Sequence, residues 1–199
     1  MKQIGLILLM AIVLGCTSKP DRLPFLGNPI VQGKDTLYPR IKDFSFINQD
    51  SIVITNDTFK DKVYVADFMF LSCPTICPVM HVQMTDVYKV FKDNSEVSFL
   101  SHTIDPERDT VEKLKEFTER HTIKENWYFV TGHKDSIMSI AKKSYFTVAY
   151  PDEKEPGGLV HGGGFLLVDQ NRYIRGVYDG TNPEETERLI KDIRILLKE

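Results

Sequence analysis

Residues 62–71, KVYVADFMFL, are the sequence feature that most limits the folds open to this chain. The run is β-branched and aromatic and is apolar at most positions, which is typical of a strand buried in the middle of a sheet. A loop with two cysteines, Cys73 and Cys77, follows the run, and Pro78 stands where the first residue of a helix is expected. The sequence therefore predicts a central strand that leads through a cysteine loop into a helix.

The other periodic segments continue an alternation of strands and helices. Apolar runs at 44–47 and 51–54 flank a polar turn and predict a hairpin. The remaining predicted elements are, in chain order, a helix at 79–91, a strand at 97–102, a helix from a capping box at 109–112 to residue 120, a strand at 127–131, a helix at 136–143, an extended piece at 145–150, a hairpin at 165–168 and 173–177, and a helix at 183–197. This order predicts an α/β fold with a mixed central sheet flanked by helices and an added N-terminal β-hairpin, and it resembles that of thioredoxin-like domains.

The first residues have the composition of an export signal. Lys2 precedes an apolar run at 4–14, which fits the h-region of a signal peptide but falls short of the about 20 apolar residues that span a bilayer. The run ends in Gly15-Cys16, which resembles the processing site of bacterial lipoproteins. Residues 1–15 are therefore predicted to be a lipoprotein signal peptide and Cys16 the lipid-modified first residue. An uncleaved signal anchor is the alternative, and both place the folded part on the periplasmic side of a cell membrane.

The rest of the chain is predicted to be a tether followed by one domain. Residues 16–40 contain several prolines and glycines and few apolar residues in any period, so they are predicted to be an extended tether. Residues 41–199 form the domain. The formal net charge is −3, and the basic residues are scattered among acidic ones with no basic stripe, so we expect no nucleic-acid partner.

Cys73 and Cys77 are the only cysteines of the predicted mature domain. In an oxidising compartment an isolated pair either closes as a disulfide or is kept reduced for a purpose. A disulfide between residues four apart closes a very short loop, and short loops gain the least stability from closure. Stability is therefore a poor reason for this pair.

The position and chemistry of the two cysteines suit a metal ion. Side chains at positions i and i+4 of a helical turn face the same side, about 5–6 Å apart, so the sulfurs can converge on one ion or form a disulfide. The helix N-terminus is expected to lower the pKa of Cys77 below about 8.5. The three intervening residues differ from the two of thioredoxin-type oxidoreductases, and no second cysteine pair completes a zinc site. A site with only a few soft thiolates and an imidazole suits copper better than hard cations.

Five histidines could supply the imidazole ligand: His81, His102, His121, His133 and His161. His161 lies in GGLVHGGG at 157–164, where five glycines permit close backbone approach, and it is expected to start the strand pair beside the cysteine loop. His81, one turn after Cys77, is the main rival, although its side chain is expected to point along the helix. His102 is expected to end a strand where Asp105 can hydrogen-bond it, and the other two to lie at exposed helix ends.

Three segments together resemble the SCO/SenC family of copper proteins. They are FMFLSCPTICP at 68–78, SHTIDPERDT at 101–110, and His161 ahead of an apolar strand that ends at Val168-Asp169. The resemblance covers residues 41–197 and implies a thioredoxin fold with copper, as Cu(I) or Cu(II), held by Cys73, Cys77 and His161. It also implies a role in maturing the dinuclear copper centre of cytochrome c oxidase, by copper delivery, by thiol reduction of the target or by both. The implied partner is the copper-site subunit of that oxidase or another cuproprotein.

Two positions depart from the pattern of this family. Val160 and Gly162 stand where members commonly have Asp and Ser or Thr beside the histidine, and Val111 replaces a usual Pro. The first departure bears on the orientation of His161, because the partners of a ligand tune it. We expect a metallochaperone rather than an enzyme. The alternative is a thiol–disulfide oxidoreductase that acts on extracytoplasmic protein cysteines without metal, and a peroxidase of the same fold is a weaker third hypothesis.

Overall fold

The computed structural model describes residues 22–199, so the predictions for residues 1–15 and for Cys16 lie outside the described residues. The described elements are the strands β1 (Ile30–Gln32), β2 (Asp35–Leu37), β3 (Ser45–Asn48), β4 (Val53–Thr55), β5 (Val63–Met69), β6 (Val97–Thr103), β7 (Trp127–Thr131), β8 (Ala149–Pro151), β9 (Leu159–His161), β10 (Gly164–Val168) and β11 (Ile174–Asp179), the helices α1 (Cys77–Phe91), α2 (Val111–Arg120), α3 (Lys134–Lys143) and α4 (Pro183–Leu196), and a 3₁₀ helix at Asn56–Phe59. Within this part of the chain no helix is both long and apolar enough to cross a bilayer.

Seven strands form the central sheet in the order β11-β10-β5-β6-β7-β3-β4. Strands β5, β6 and β7 are parallel, and the strands on either side of them, β10 and β3, run antiparallel to their neighbours. All seven residues of β5 and all seven of β6 are buried, as strands covered on both faces require. This architecture confirms the predicted mixed α/β fold, including the added hairpin of β3 and β4 at one sheet edge.

Three local details differ from the predictions. Helix α1 begins at Cys77 rather than at Pro78, one residue earlier than predicted, so Cys77 is itself helical. The reciprocal capping box predicted for α2 is absent, because the third helical residue, Lys113, has no acceptor to return the bond. Thr110 caps the helix alone by accepting from the Lys113 N–H. The extended piece predicted at 145–150 is reduced to the short strand β8.

The start of the described chain is held on the domain. Leu23 and Leu26 pack against the core. The buried guanidinium of Arg175 donates to the carbonyl oxygen of Leu23 at 2.6 Å and also pairs with Asp169 and Glu199. After this contact the hairpin of β1 and β2 is exposed throughout. The segment predicted as a tether is therefore docked at residues 23–26, while the boundary of the domain stays a prediction.

His102 is fully buried in β6 and stacks on Phe68, with ring centroids 4.6 Å apart. Neither of its ring nitrogens has a hydrogen-bond partner, and Asp105 pairs with Arg108 instead. The expected bond from His102 to Asp105 is therefore wrong. Burial lowers the pKa of His102 to about 3, so the folded protein keeps this imidazole neutral.

We predict that His102→Phe removes a source of acid instability. An unfolded histidine gains a proton below about pH 6.5, whereas folded His102 does not, so the wild type loses stability as the pH falls from that value toward its folded pKa. Chemical denaturation at pH 7.5 and pH 5 should show the variant gaining about 2 kcal/mol relative to wild type at the lower pH. Parallel pH profiles for the two proteins would contradict a buried, neutral His102.

Candidate metal centre

Cys73, Cys77 and His161 meet in the folded chain although the histidine lies more than 80 residues away in sequence. Their two sulfurs and one imidazole nitrogen all lie within 4.8 Å of one another. The Nε2 atom of His161 is 3.0 Å from the Cys77 sulfur and 3.8 Å from the Cys73 sulfur. All three residues are buried and both thiols are free. The structure thus brings together the three residues that the sequence singled out.

The cysteines are positioned by the junction between β5 and α1. The chain leaves the sheet after Met69, and the Cys73 N–H donates to the Phe70 carbonyl, which turns the loop back over the strand end. Cys77 is the first residue of α1, and the proline that follows has no N–H to leave unpaired at the helix start. The two sulfurs therefore lie within 4.8 Å of each other at the end of a buried strand.

His161 ends β9 in a small ribbon with β8, in which it pairs with Ala149. We expected His161 to start the strand pair beside the cysteine loop. That prediction is wrong, because two glycines separate His161 from β10, the first strand of that pair. At Gly162 an added Cβ would lie 2.4 Å from the Thr147 hydroxyl, so any larger residue would have to displace the Thr147 side chain. The turn into β9 uses Gly157 at a φ of +88°, which side chains rarely adopt.

The carbonyl of Gly162 orients the imidazole of His161. Its oxygen lies 3.2 Å from Nδ1, so a proton on Nδ1 donates to it and Nε2 presents a lone pair to the two sulfurs. A side-chain partner in the place of Val160 is thus not needed to set this tautomer. Phe70 packs edge-on against the same ring, with centroids 5.6 Å apart.

The two thiols differ in acidity. Burial alone would raise the pKa of Cys73, but hydrogen bonds from the Thr75 hydroxyl and from the backbone N–H groups of Cys77 and Thr75 outweigh it and lower the pKa to about 6. Burial raises the pKa of Cys77 well above its usual range. The expected low pKa of Cys77 is therefore wrong, because burial of its thiol outweighs the helix N-terminus, whose first N–H points at the Cys73 sulfur. At neutral pH the site holds one thiolate and one thiol.

A buried carboxyl group that the sequence analysis missed lies next to the dithiol. Asp67 in β5 lines the same cavity as Cys73 and Cys77, and burial raises its pKa to about 6. The Ser101 hydroxyl donates to it at 2.6 Å. The one sequence signal was an acidic residue inside an apolar strand, which is rarely buried without a partner.

Asp109, in the DPERDT turn, fixes the start of the cysteine loop. Its carboxylate accepts from the Leu71 N–H at 3.0 Å and from the Thr103 hydroxyl at 2.5 Å. These bonds tie the loop that follows β5 to the end of β6, and Asp109 itself is buried.

Arg108, the preceding residue, fixes the histidine loop. Its guanidinium donates to the carbonyl of Gly157 at 2.7 Å and is paired with Asp105. Neighbouring residues of one turn therefore hold both loops that carry the site. The sequence showed this turn as a motif, but a bond across 49 residues to a backbone carbonyl leaves no local pattern.

The remaining histidines lie outside the cluster of Cys73, Cys77 and His161. His81, the rival ligand, packs against Phe117, His121 and Trp127. His133 precedes the first residue of α3, as expected of a helix end.

Comparison with known proteins gives one family, SCO1/SenC, both from a family model and from a named relative. The model of the SCO1/SenC family matches residues 34–198. A protein of Bacillus subtilis named SCO1 protein homolog is 34% identical over 166 residues, which are 82% of this chain and 86% of that protein.

Several solved structures are similar to this chain in both fold and sequence. A SCO1/SenC family lipoprotein from Bacillus anthracis is 34% identical at a TM-score of 0.72, covering 79% of this chain and 95% of its own. BsSco, described as a member of the Sco family of cytochrome c oxidase assembly proteins with a disulfide switch, is 32% identical at a TM-score of 0.69, with coverages of 82% and 96%. ScoI of Arabidopsis thaliana, solved with copper bound, is 25% identical at a TM-score of 0.64, with coverages of 77% and 97%. The thioredoxin-like fold is thus confirmed.

We predict that Arg108→Gln weakens metal binding without changing the dithiol. Loss of the bond to Gly157 frees the loop that presents His161, and loss of such supporting contacts costs about 10-fold or more in metal affinity. Competition with a chromogenic Cu(I) chelator measures the affinity, and thiol titration checks the two cysteines.

Glu107→Gln is the matched control, because Glu107 lies in the same turn but its exposed carboxylate pairs with Lys134 rather than with the loop of His161. An Arg108→Gln protein that binds copper as tightly as this control would contradict the positioning role.

Proposed function

The chain belongs to the SCO1/SenC family, and on that premise we propose that it is a copper metallochaperone that serves the maturation of the dinuclear copper centre of cytochrome c oxidase. The observation that supports this most is the convergence of two cysteine sulfurs and one imidazole nitrogen within 4.8 Å, in a buried site. The related BsSco and the copper-bound ScoI support the cargo and the pathway.

The donor set fits copper better than other common metals. Two soft sulfurs and an imidazole suit Cu(I), whereas structural zinc requires four ligands and Mg²⁺ or Ca²⁺ requires oxygen. A three-coordinate ion with ligand distances of about 2.0–2.3 Å spaces its ligands by about 3.5–4 Å, so small side-chain shifts suffice to close the site. Cu(II) would accept a further oxygen ligand in the same place.

Protonation makes copper loading dependent on pH. Cys73 is ready as a thiolate at neutral pH, while Cys77 must give up its proton when copper binds. The tautomer of His161 already directs the Nε2 lone pair at the sulfurs, so this ligand needs no proton loss. Copper affinity therefore falls as the medium becomes acidic.

The location of the protein is part of the same proposal. Cleavage after residue 15 and lipid attachment to Cys16 would hold the domain on the periplasmic side of the cell membrane, where the copper-site subunit of the oxidase or another cuproprotein is its partner. The Bacillus anthracis structure described as a lipoprotein supports this view. Mass spectrometry of the N-terminal peptide from membranes would show an unmodified Cys16 if the proposal is wrong.

A thiol–disulfide oxidoreductase is the second candidate function. The observation in its favour is the pairing of a Cys73 thiol with a pKa near 6 and a protonated Cys77 that can resolve a mixed disulfide. The protein dithiol would become a disulfide as a target disulfide becomes a dithiol. Metal-free wild type and His161→Ala protein that reduce a disulfide-bonded peptide at equal rates would favour this function, and two inert proteins would favour the chaperone.

We predict one tightly bound Cu(I) per reduced chain. Cys73→Ala should lose it, because one thiolate with an imidazole leaves the ion a ligand short, and His161→Ala should bind at least about 10-fold more weakly. Metal analysis after desalting against a chelator gives the stoichiometry and competition gives the affinity.

His133→Ala is the control, because His133 is a histidine outside the site. Full-strength binding by His161→Ala would overturn the ligand set and would direct attention to His81.

A further inference from the structure

Two imidazoles outside the metal centre lie side by side. His81 is on the second turn of α1, four residues after Cys77, and His121 follows the last residue of α2. Their ring centroids are 4.4 Å apart at an interplanar angle of 71°. His81 is half-buried and His121 is exposed, so the pair reaches from the protein interior to solvent.

A cavity joins this histidine pair to the metal centre. It has a volume of about 390 Å³, and its walls include Cys73 and Cys77 as well as His81 and His121. The rest of the lining is largely apolar, with Phe117 among the residues. A ligand bound by the pair would therefore occupy the same cavity as the two sulfurs.

Both imidazoles can act as metal ligands at neutral pH. Burial lowers the pKa of His81 to about 4, and partial desolvation together with the charge of Arg120 lowers the pKa of His121, so both imidazoles are neutral at neutral pH. Their contacts with Phe117 and Trp127 are between rings and consume no nitrogen lone pair.

We propose that His81 and His121 form a second copper site, selective for Cu(II), in the cavity that also contains Cys73 and Cys77. Rings 4.4 Å apart suit neighbouring positions, about 90° apart, around one ion with metal–nitrogen distances of about 2.0 Å. Two imidazoles with water in the open positions give the nitrogen and oxygen set that tetragonal Cu(II) prefers. This nitrogen and oxygen ligand set distinguishes the histidine pair from the sulfur-rich centre, which suits Cu(I).

The site deepens the proposed function and rests on it, because its role is to capture cargo for the centre. The exposed His121 meets solvent copper first, and open water positions make the ion easy to release. The ion need not leave the cavity to reach Cys73 and Cys77, and the first site accepts it as Cu(II) with a further oxygen ligand.

The test uses the full chain with Cys16→Ser, Cys73→Ser, Cys77→Ser and His161→Ala. This background lacks the ligands of the first site, so bound Cu(II) reports on a separate site. Titration with Cu(II), followed by electron paramagnetic resonance, should show one ion coupled to two imidazole nitrogens. Adding His81→Phe or His121→Phe should abolish that signal, since phenylalanine keeps the ring packing and removes the nitrogens.

His133→Phe in the same background is the control and should keep the signal, and far-ultraviolet circular dichroism checks that each variant is folded. A background protein without two-nitrogen coupling, or a signal that survives both substitutions, would overturn the proposal and leave the pair as aromatic packing. Because the background has no first site, either result is independent of whether wild type binds Cu(I).

Discussion

The contact between the Cys77 sulfur and the Nε2 atom of His161, 3.0 Å apart, joins the two loops that carry the metal centre. One loop follows the central strand β5, and the other belongs to the small ribbon of β8 and β9. Loops of this kind are the mobile part of a fold, so the metal centre depends on what holds them. The DPERDT turn does this through Asp109 on the cysteine side and Arg108 on the histidine side. The sheet fixes the turn because it directly follows β6.

The electrostatics of the site fit a protein that binds an ion and gives it up. One thiolate and one thiol are easier to bury than two thiolates, since each buried charge costs solvation free energy. Binding of a cation would stabilise the second thiolate, and its loss would return the proton to Cys77. The same asymmetry suits thiol exchange, so copper handling and dithiol chemistry share a physical basis in Cys73 and Cys77.

The sequence was informative wherever a structural feature is local. Strands β5, β6 and β7 and helix α1 were predicted within a few residues, because hydrophobic period, proline and strand composition act over short segments. Predictions from the sequence failed where burial by distant parts of the chain decides the pKa or the partner of a side chain. The pKa of Cys77 is raised rather than lowered because its thiol is covered by other parts of the chain. The partners of His102 and Arg108 were likewise out of reach, since they depend on packing between distant segments.

X-ray absorption spectroscopy of the copper(I)-loaded full chain tests the central claim most directly, because it counts the atoms bound to the metal. The arrangement of Cys73, Cys77 and His161 predicts a first shell of two sulfurs and one imidazole nitrogen. A shell with fewer than two sulfurs, or with two sulfurs and no nitrogen, would contradict it.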